Sequence, residues 1–588
     1  MKKIVVGLLS FFMLISLVAC NTTKKSSGIK DGTYTGSGQG NNGPISVEVV
    51  VKDTKLNEIK VTEHNETKGL GDVAMDAIIA LMIENNTTNT DVVTGATYSS
   101  KGLQEAVNDA LMKAGATKED IAKYPLASFV KEELESEYTF DVVIIGAGGA
   151  GLSAAIEASK NGASVVVLEK TPAAGGNTLV SGGGINAANT RQQIGLNIED
   201  TAKIFYNDTL KGGDNQGDPK LVKVMTEKSL EAADWLMDEI GVEFISDRVQ
   251  QFGGHSKPRA LIPVGNKGVE LINKLLKVAE AQGVRVFYNM EATKLEKQDD
   301  TVNAVYATKD GKEIKFNASK GIVVATGGFA ANLEMRKEYN PNYDERFKTT
   351  ATLASTGDGI IMAQGVGADV VSMEYIQVYP TCNPITGIIS YVANSRFDGA
   401  LLFNQEGTRF VNEMGRRDDI SNAILNQTGQ VAYLVWGQEI ETVGTMTQLH
   451  KVEFEQWQKD DLIYVAETLE DAANHYGIDA AKLQETIAAY NESIKDEVDE
   501  DFNKGGKLRP ISEGKFYIQK VVPSTHHTMG GLKINEHAEV IDTNGNVIKG
   551  LFAAGEVTGG IHGTNRLGGN AITDIIVFGR IAGTNVSK

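Results

Sequence analysis

The clearest chemical signal in this 588-residue chain is Gly146-Ala147-Gly148-Gly149-Ala150-Gly151, a G-x-G-x-x-G that follows the apolar run Phe140 to Ile145. Leu152 to Ala158 reads as a helix. Together they form a strand, a tight turn and a helix N-terminus. That unit holds a dinucleotide pyrophosphate, because glycines let the backbone approach and the free helix N–H groups face the phosphates. Glu169 closes the next strand, Ser164 to Leu168, about 20 residues on, where an acid that binds ribose hydroxyls is expected. A lone G-x-G-x-x-G also occurs in ordinary Gly-rich βα turns; the strand, helix and acid together argue for the nucleotide.

Several elements must position that site. The length asks for two to four domains. A formal net charge of −19 and a pI near 5.0 disfavour a nucleic-acid partner and fit a solvated surface. The eight histidines form no H-E-x-x-H or Cys/His set, so no metal site is expected. Lys2-Lys3 and the apolar run Ile4 to Ala19 have the charge and length of a signal peptide (1–19), and the run is short for a spanning helix. It ends Leu17-Val18-Ala19-Cys20, which resembles a bacterial lipobox with Cys20 as the lipidated residue. Only Cys382 then remains in the mature body, so no internal disulfide is possible. Residues 20–30 read as a polar tether.

Residues 31–115 read as a small α+β unit, with strands at Ile45 to Val51 and Ile59 to Thr62 and a helix over 70–84. It contains Asp91-Val92-Val93-Thr94-Gly95-Ala96-Thr97. This resembles the FMN-binding domain of bacterial respiratory flavoproteins, whose T-G-A-T carries FMN on its last Thr. The resemblance implies FMN bound covalently to Thr97 through a phosphodiester that a separate FMN transferase installs. The alternative is a Thr-rich cap on the helix from Lys101 to Met112. Residues 116–137 are charged and read as a linker.

From the dinucleotide motif to the C-terminus the chain resembles the FAD-dependent fumarate reductase and succinate dehydrogenase superfamily, whose soluble branch includes flavocytochrome-type fumarate reductases and urocanate reductase. The motifs include Gly175-Gly176-Asn177-Thr178, Ser355-Thr356-Gly357-Asp358-Gly359, Gln377-Val378-Tyr379-Pro380-Thr381, Arg409-Phe410-Val411-Asn412-Glu413, His526-His527-Thr528-Met529-Gly530-Gly531 and His562 to Ala571. The implied fold is α/β: a doubly wound FAD-binding domain (138–373 and 526–588) with an inserted α+β cap (374–525) hinged near 373 and 525. The resemblance assigns non-covalent FAD to Ala150, Glu169, Asn177, Thr178, Gly182, Gly183, Asp358, His527, Glu556, Ala571 and Ile572. The N-terminal dipole of the last helix would stabilise negative charge on the reduced flavin.

The implied reaction reduces a C=C bond next to a carboxylate. His526 and Arg566 match the family's carboxylate clamp, a task suited to the planar Arg fork. Arg417 matches the proton-donating arginine and Arg396 the outer arginine of its relay. The carboxylate between them in fumarate reductases has no counterpart, since Ala393-Asn394 occupy the region. Tyr379 stands where fumarate reductases have a histidine for the second carboxylate and where urocanate reductase has a Tyr; Asn394 stands where the latter has an imidazole-binding Asp. The resulting expectation is a mono-carboxylate enoate: urocanate first, a cinnamate-like acid next, fumarate as runner-up. Electrons would come from a membrane donor through FMN, with the protein lipid-anchored on the extracytoplasmic face. An oxidase or dehydrogenase on the same fold, an electron carrier, and a lipid-anchored binding protein are the competing classes. The matching Arg417 and the FMN motif count against the first, the carboxylate clamp against the second, and the two flavin motifs against the third.

Overall fold

A computed structural model describes residues 28–41, 43–66, 71–93, 96–128, 133–265 and 267–588. The signal peptide, Cys20 and most of the tether lie outside the described residues. The chain divides into two units, one ending at Lys131 and the other running from Glu132 to Lys588.

The first unit is a three-stranded antiparallel sheet, Gly32–Gln39, Pro44–Lys52 and Lys55–Glu63 in that order, with helices Gly71–Asn85 and Thr97–Lys113. Ile45, Val47, Val49 and Val51 are all buried, so the middle strand turns one face to the core, as a period of two requires. The second helix lies against the first strand at a distance that only glycine allows. A Cβ at Gly36 would stand 2.0 Å from the Ala106 carbonyl oxygen, and one at Gly38 2.1 Å from that of Gly102.

The expected linker 116–137 is corrected at both ends. Ala116 is buried in this unit's core, Ile121 and Tyr124 pack on it, and Asp91 and Ala127 exchange main-chain bonds with Ala127 and Asn89 at 2.9 Å each. At the other end, Glu137 already begins the strand Glu137–Ile145.

In the second unit, parallel strands run in the order Val547–Ala553, Lys312–Val324, Glu137–Ile145, Val165–Leu168 and Arg285–Phe287. An antiparallel extension is formed by Glu291–Gln298 and Thr301–Lys309. Val142 to Ile145 and Val165 to Leu168 are buried throughout, as strands covered on both faces should be. Helix Gly149–Lys160 covers the sheet and is crossed closely by helix Asn570–Val586: Cβ atoms at Gly579 and Gly583 would meet the carbonyl oxygens of Ala150 and Ala154 at 2.6 and 2.2 Å.

A second core, from Val392 to Val521, belongs to the cap. The strand Phe516–Thr528 joins the cap to the flavin domain. Its first half pairs with Ala432–Gly437 and Ile463–Ala466, and its second half with Ile376–Cys382 and Lys348–Thr349. The expected hinge near 525 therefore falls inside a continuous strand with partners on both edges. Thr525 itself is paired on both sides, with Val378 and Thr349, and the irregularity beside it is a one-residue bulge at His526.

Candidate active site

The antiparallel register sets Gln377 opposite His527 and Tyr379 opposite Ser524. The register shifts by one residue between the Gln377–His527 and Val378–Thr525 pairs, a β-bulge that leaves His526 without an opposite residue, and the two histidine rings take different partners. The His526 ring lies edge-on to Tyr379, centroids 5.4 Å apart, and its Nδ1 is 2.7 Å from Thr350 Oγ1. His527 Nδ1 lies 3.6 Å from Glu556 Oε1, and its ring meets that of His562 edge-on.

Two guanidinium groups approach the Tyr379 ring, Arg417 at 4.7 Å and Arg396 at 5.6 Å from its centroid. Arg417 begins helix Arg417–Leu425, and Arg396 sits in the short helical turn Val392–Phe397. Gln377 is the pivot. Its Oε1 accepts from Arg417 Nη1 at 3.3 Å, while its Nε2 donates to Asn565 Oδ1 and to the Arg566 carbonyl, both at 2.7 Å. Among the described residues, no carboxylate forms an ion pair with Arg396, Arg417 or Arg566, although Arg396 and Arg566 are buried. Burial and the neighbouring Arg417 charge push Arg566 down to about 9. Burial likewise lowers Arg417. Burial, Arg566 and Arg417 hold His526 well below the ordinary histidine value, so it is neutral near pH 7. Glu556 and Asp574 act on Arg566 from beyond ion-pair distance, so the cluster keeps positive charge free to meet an anion.

Asn394 donates its main-chain N–H to Tyr391 O, and its side chain makes no hydrogen bond among the described residues. The acid near the Ala393-Asn394 turn is Glu453, and it is spent on the turn itself, accepting from Ser390 Oγ and from the N–H groups of Tyr391 and Val392. Arg409 and Glu413 belong to a buried cap network with Asp499 and Lys504, away from this cluster.

The flavin-side residues form a matching cradle. A Cβ at Gly151 would stand 1.9 Å from Gly146 O, and Gly146 (φ +103°) would collide with Ala325 O. Helix Gly149–Lys160 has Gly148, which has no side chain to cap it, at its N-terminus; Gly149 N is taken by Thr178 Oγ1, and the N–H groups of Ala150 and Gly151 meet no side chain and are left for an anion. Glu169 accepts from Ala147 N and from Thr171 N at 2.8 Å each, so it braces the turn as well as ending the strand. Thr178 Oγ1 accepts from Gly149 N. Asp358 pairs with Lys170 at 2.5 Å. Asn177 donates to Glu556 Oε2 and accepts from Thr352 N. Gly183 turns with φ +71°, beside Gly182. Gly569 (φ +85°) precedes Ala571 and Ile572 in a second helix start without a side-chain cap. Two helix starts with glycine at the cap, a turn that leaves no room for a Cβ at Gly146 and Gly151, and acids beside them fit a dinucleotide.

In the first unit, Thr97 is the first residue of helix Thr97–Lys113. The cap position belongs to Ala96, and no side chain caps this end, so Thr97 does not serve as the cap.

Over 562 residues the chain is 41% identical to the urocanate reductase of Eggerthella lenta, which covers 94% of this chain and 92% of that protein. The chain belongs to that family of flavoproteins. The FAD binding domain family matches residues 141–572, and the FMN-binding domain family matches 40–112. The NADH:acrylate oxidoreductase of Vibrio harveyi is 34% identical over 95% of this chain, which spans 61% of that longer relative. A flavocytochrome c3 fumarate reductase solved in an open conformation superposes with a TM-score of 0.67 at 36% identity, over 76% of this chain and 78% of that one. This member of the family is an FAD-dependent oxidoreductase with a separate FMN-binding unit. The family motifs pointed to Arg417, Tyr379, His526, Arg566 and Arg396, and the fold brings these five together. Gln377, Lys170 and Thr350 were missed as site residues. Gln377 had a signal, since it stands in the same motif as Tyr379; the other two had none.

Proposed function

We propose that this protein reduces the C=C bond of an α,β-unsaturated mono-carboxylate, with urocanate as the best candidate. The observation that carries the reading is the cluster of Arg417, Arg566 and neutral His526 around Tyr379, in which neither arginine forms an ion pair with a carboxylate among the described residues, Glu556 and Asp574 acting on Arg566 only from beyond ion-pair distance. Reduced FAD, when bound, supplies the hydride that adds to the β-carbon. Arg566 and His526 hold the substrate carboxylate, and the positive charge of Arg566, with the neutral imidazole as a hydrogen-bonding partner, favours the enolate-like electron distribution that follows. Arg417 gives a proton to the α-carbon. Arginine is an ordinarily poor acid, but burial lowers Arg417 and the carbanionic α-carbon is a strong acceptor. Arg396, whose guanidinium also lies by the Tyr379 ring, passes a proton taken from solvent to Arg417 and so restores it. The net change is one hydride and one proton added across the double bond.

Tyr379 favours a substrate whose far end is neutral, because a phenol compensates a second carboxylate poorly. Relatives named for urocanate and for acrylate reduction support this class. Fumarate is the second reading, favoured by Arg396, a further cation within reach of Tyr379. Covalent FMN on Thr97, when attached, provides the electron input. The reading extends to a lipid on Cys20, a membrane electron donor and an extracytoplasmic location, which rest on the N-terminal sequence. Thr97→Ala would then abolish flavin that survives denaturing gel electrophoresis.

The test is anaerobic reoxidation of the chemically reduced, flavinylated protein by urocanate, cinnamate, acrylate and fumarate in parallel. Fast turnover with the mono-carboxylates and slow turnover with fumarate is expected. Fast turnover with fumarate alone would overturn the substrate assignment, and no turnover with any of the four would overturn the reductase reading.

A further inference from the structure

Beside the substrate cluster runs a loop, Gly212 to Gln216, to which the proposed chemistry assigns no part. Asp214 and Asn215 both have left-handed backbones, φ +54° and +57°, a turn conformation that Asp and Asn adopt more readily than other non-glycine residues. The loop is joined to the segment 560–566 through main-chain atoms: Thr564 N donates to Gly213 O at 3.2 Å and Asp218 N to Gly560 O at 2.6 Å. A Cβ at Gly213 would come within 2.2 Å of His562 O, and one at Gly563 within 2.1 Å of Gly213 O, so the two loops touch backbone to backbone.

Asp214 faces two ways. Its carboxylate takes Arg416 Nη1 at 2.7 Å and Nη2 at 3.2 Å, and it also accepts from the Thr564 hydroxyl. Arg416 caps the helix that Arg417 begins, and it pairs with Asp418 as well. Thr564 lies two residues before Arg566. On the other side, Asn565 Nδ2 donates to Gly212 O, Gln377 holds Asn565 Oδ1 and Arg566 O, and Arg417 donates to Gln377. The contacts close a ring that contains both the proton-donating and the carboxylate-holding arginine.

We propose that Asp214 is a positioning residue that locks Arg417 and Arg566 into one geometry by joining the cap, through Arg416, to the substrate loop, through Thr564. The inference rests on the reductase reading. The Asp214–Arg416 pair is about half exposed on the acid's side, with relative exposures of 48% and 34%. A pair so exposed adds little to stability; its effect is on alignment, to which proton transfer is sensitive.

The experiment compares wild type, Asp214→Asn, Arg416→Gln, the double variant and Thr564→Val as flavinylated full-length proteins. Asp214→Asn is expected to lower kcat about tenfold, with unchanged flavin content and thermal midpoint. Arg416→Gln should lower kcat with KM kept, Thr564→Val should raise KM with kcat kept, and the double variant should be no worse than Asp214→Asn alone. Amide exchange over residues 415–420 should quicken in Asp214→Asn even without substrate. Wild-type kcat in Asp214→Asn, additive losses in the double variant, or a fall in thermal midpoint that accounts for the loss would each overturn the proposal. A wild type inert to every enoate would instead condemn the reductase reading, and the exchange measurement would still report on the lock.

Discussion

Tyr379 meets His526 edge-on, ring centroids 5.4 Å apart at 61°, so the phenol is a direct neighbour of the residue proposed to hold the carboxylate and, in the proposed reading, is left to meet the rest of the substrate. Its hydroxyl is then a contact for the far end of the substrate. Tyr379→Phe keeps the ring and loses one hydrogen bond, typically about 1 kcal/mol. The kcat/KM for urocanate should fall about fivefold, while that for acrylate, which has no far end, should hold. Stopped-flow reoxidation with the two substrates decides it. Equal losses would mean that Tyr379 serves the shared carboxylate.

Arg417 should divide binding from protonation. Arg417→Ala is expected to cut kcat by about 10²–10⁴-fold, the usual worth of a general acid, with FAD content unaltered. Arg417→Lys should recover part of the rate and add an alkaline limb to the pH profile, since lysine loses its proton nearer neutrality. Single-turnover rates from pH 6 to 10 would show both effects.

Acid stability should report the buried histidines. His526 and His527 lie well below the ordinary histidine value, and burial with the Arg259 charge takes His255 down to about 4. Below pH 6.5 the unfolded chain binds protons at these sites that the folded chain refuses. Stability therefore falls as pH drops from 6.5 towards 4, by up to about 1.4 kcal/mol per pH unit for each such group. Urea titrations across that range should show the slope, and His526→Gln should remove one proton's share of it.

The glycine turn should separate shape from backbone freedom. Gly151→Ala places a Cβ 1.9 Å from Gly146 O and should abolish FAD binding. Gly162, at φ +86° with open space beside it, should tolerate alanine at a cost of about 1–2 kcal/mol and retain the cofactor. Flavin stoichiometry after desalting is the measurement.

These features differ in how far the sequence exposes them. The turn at Gly146 to Gly151 is legible because sterics bar a side chain at Gly146 and Gly151. The family motifs named Tyr379, His526 and Arg566, but their adjacency depends on the register between Ile376–Cys382 and Phe516–Thr528, which no local pattern encodes. Phe516–Thr528 hides as a strand: it is covered on both faces, carries Lys520 and Pro523, and so shows no alternation. The segment after residue 115 looked like linker because its charges outnumber Ile121 and Tyr124, the two side chains that tie it down. Asp214 was invisible, since its partners lie some 200 and 350 positions away in the chain.

The parallel sheet also sets an order of assembly. Glu137–Ile145 and its glycine turn are made early, but Lys312–Val324 gains its neighbour Val547–Ala553, and the second open helix end at Asn570 forms, only when the last part of the chain is made. The first unit, by contrast, draws all its strands from residues before 64. Domains generally fold as they emerge. The FMN-binding unit can thus be folded on a growing chain while the FAD-binding domain still lacks Val547–Ala553 and the helix from Asn570.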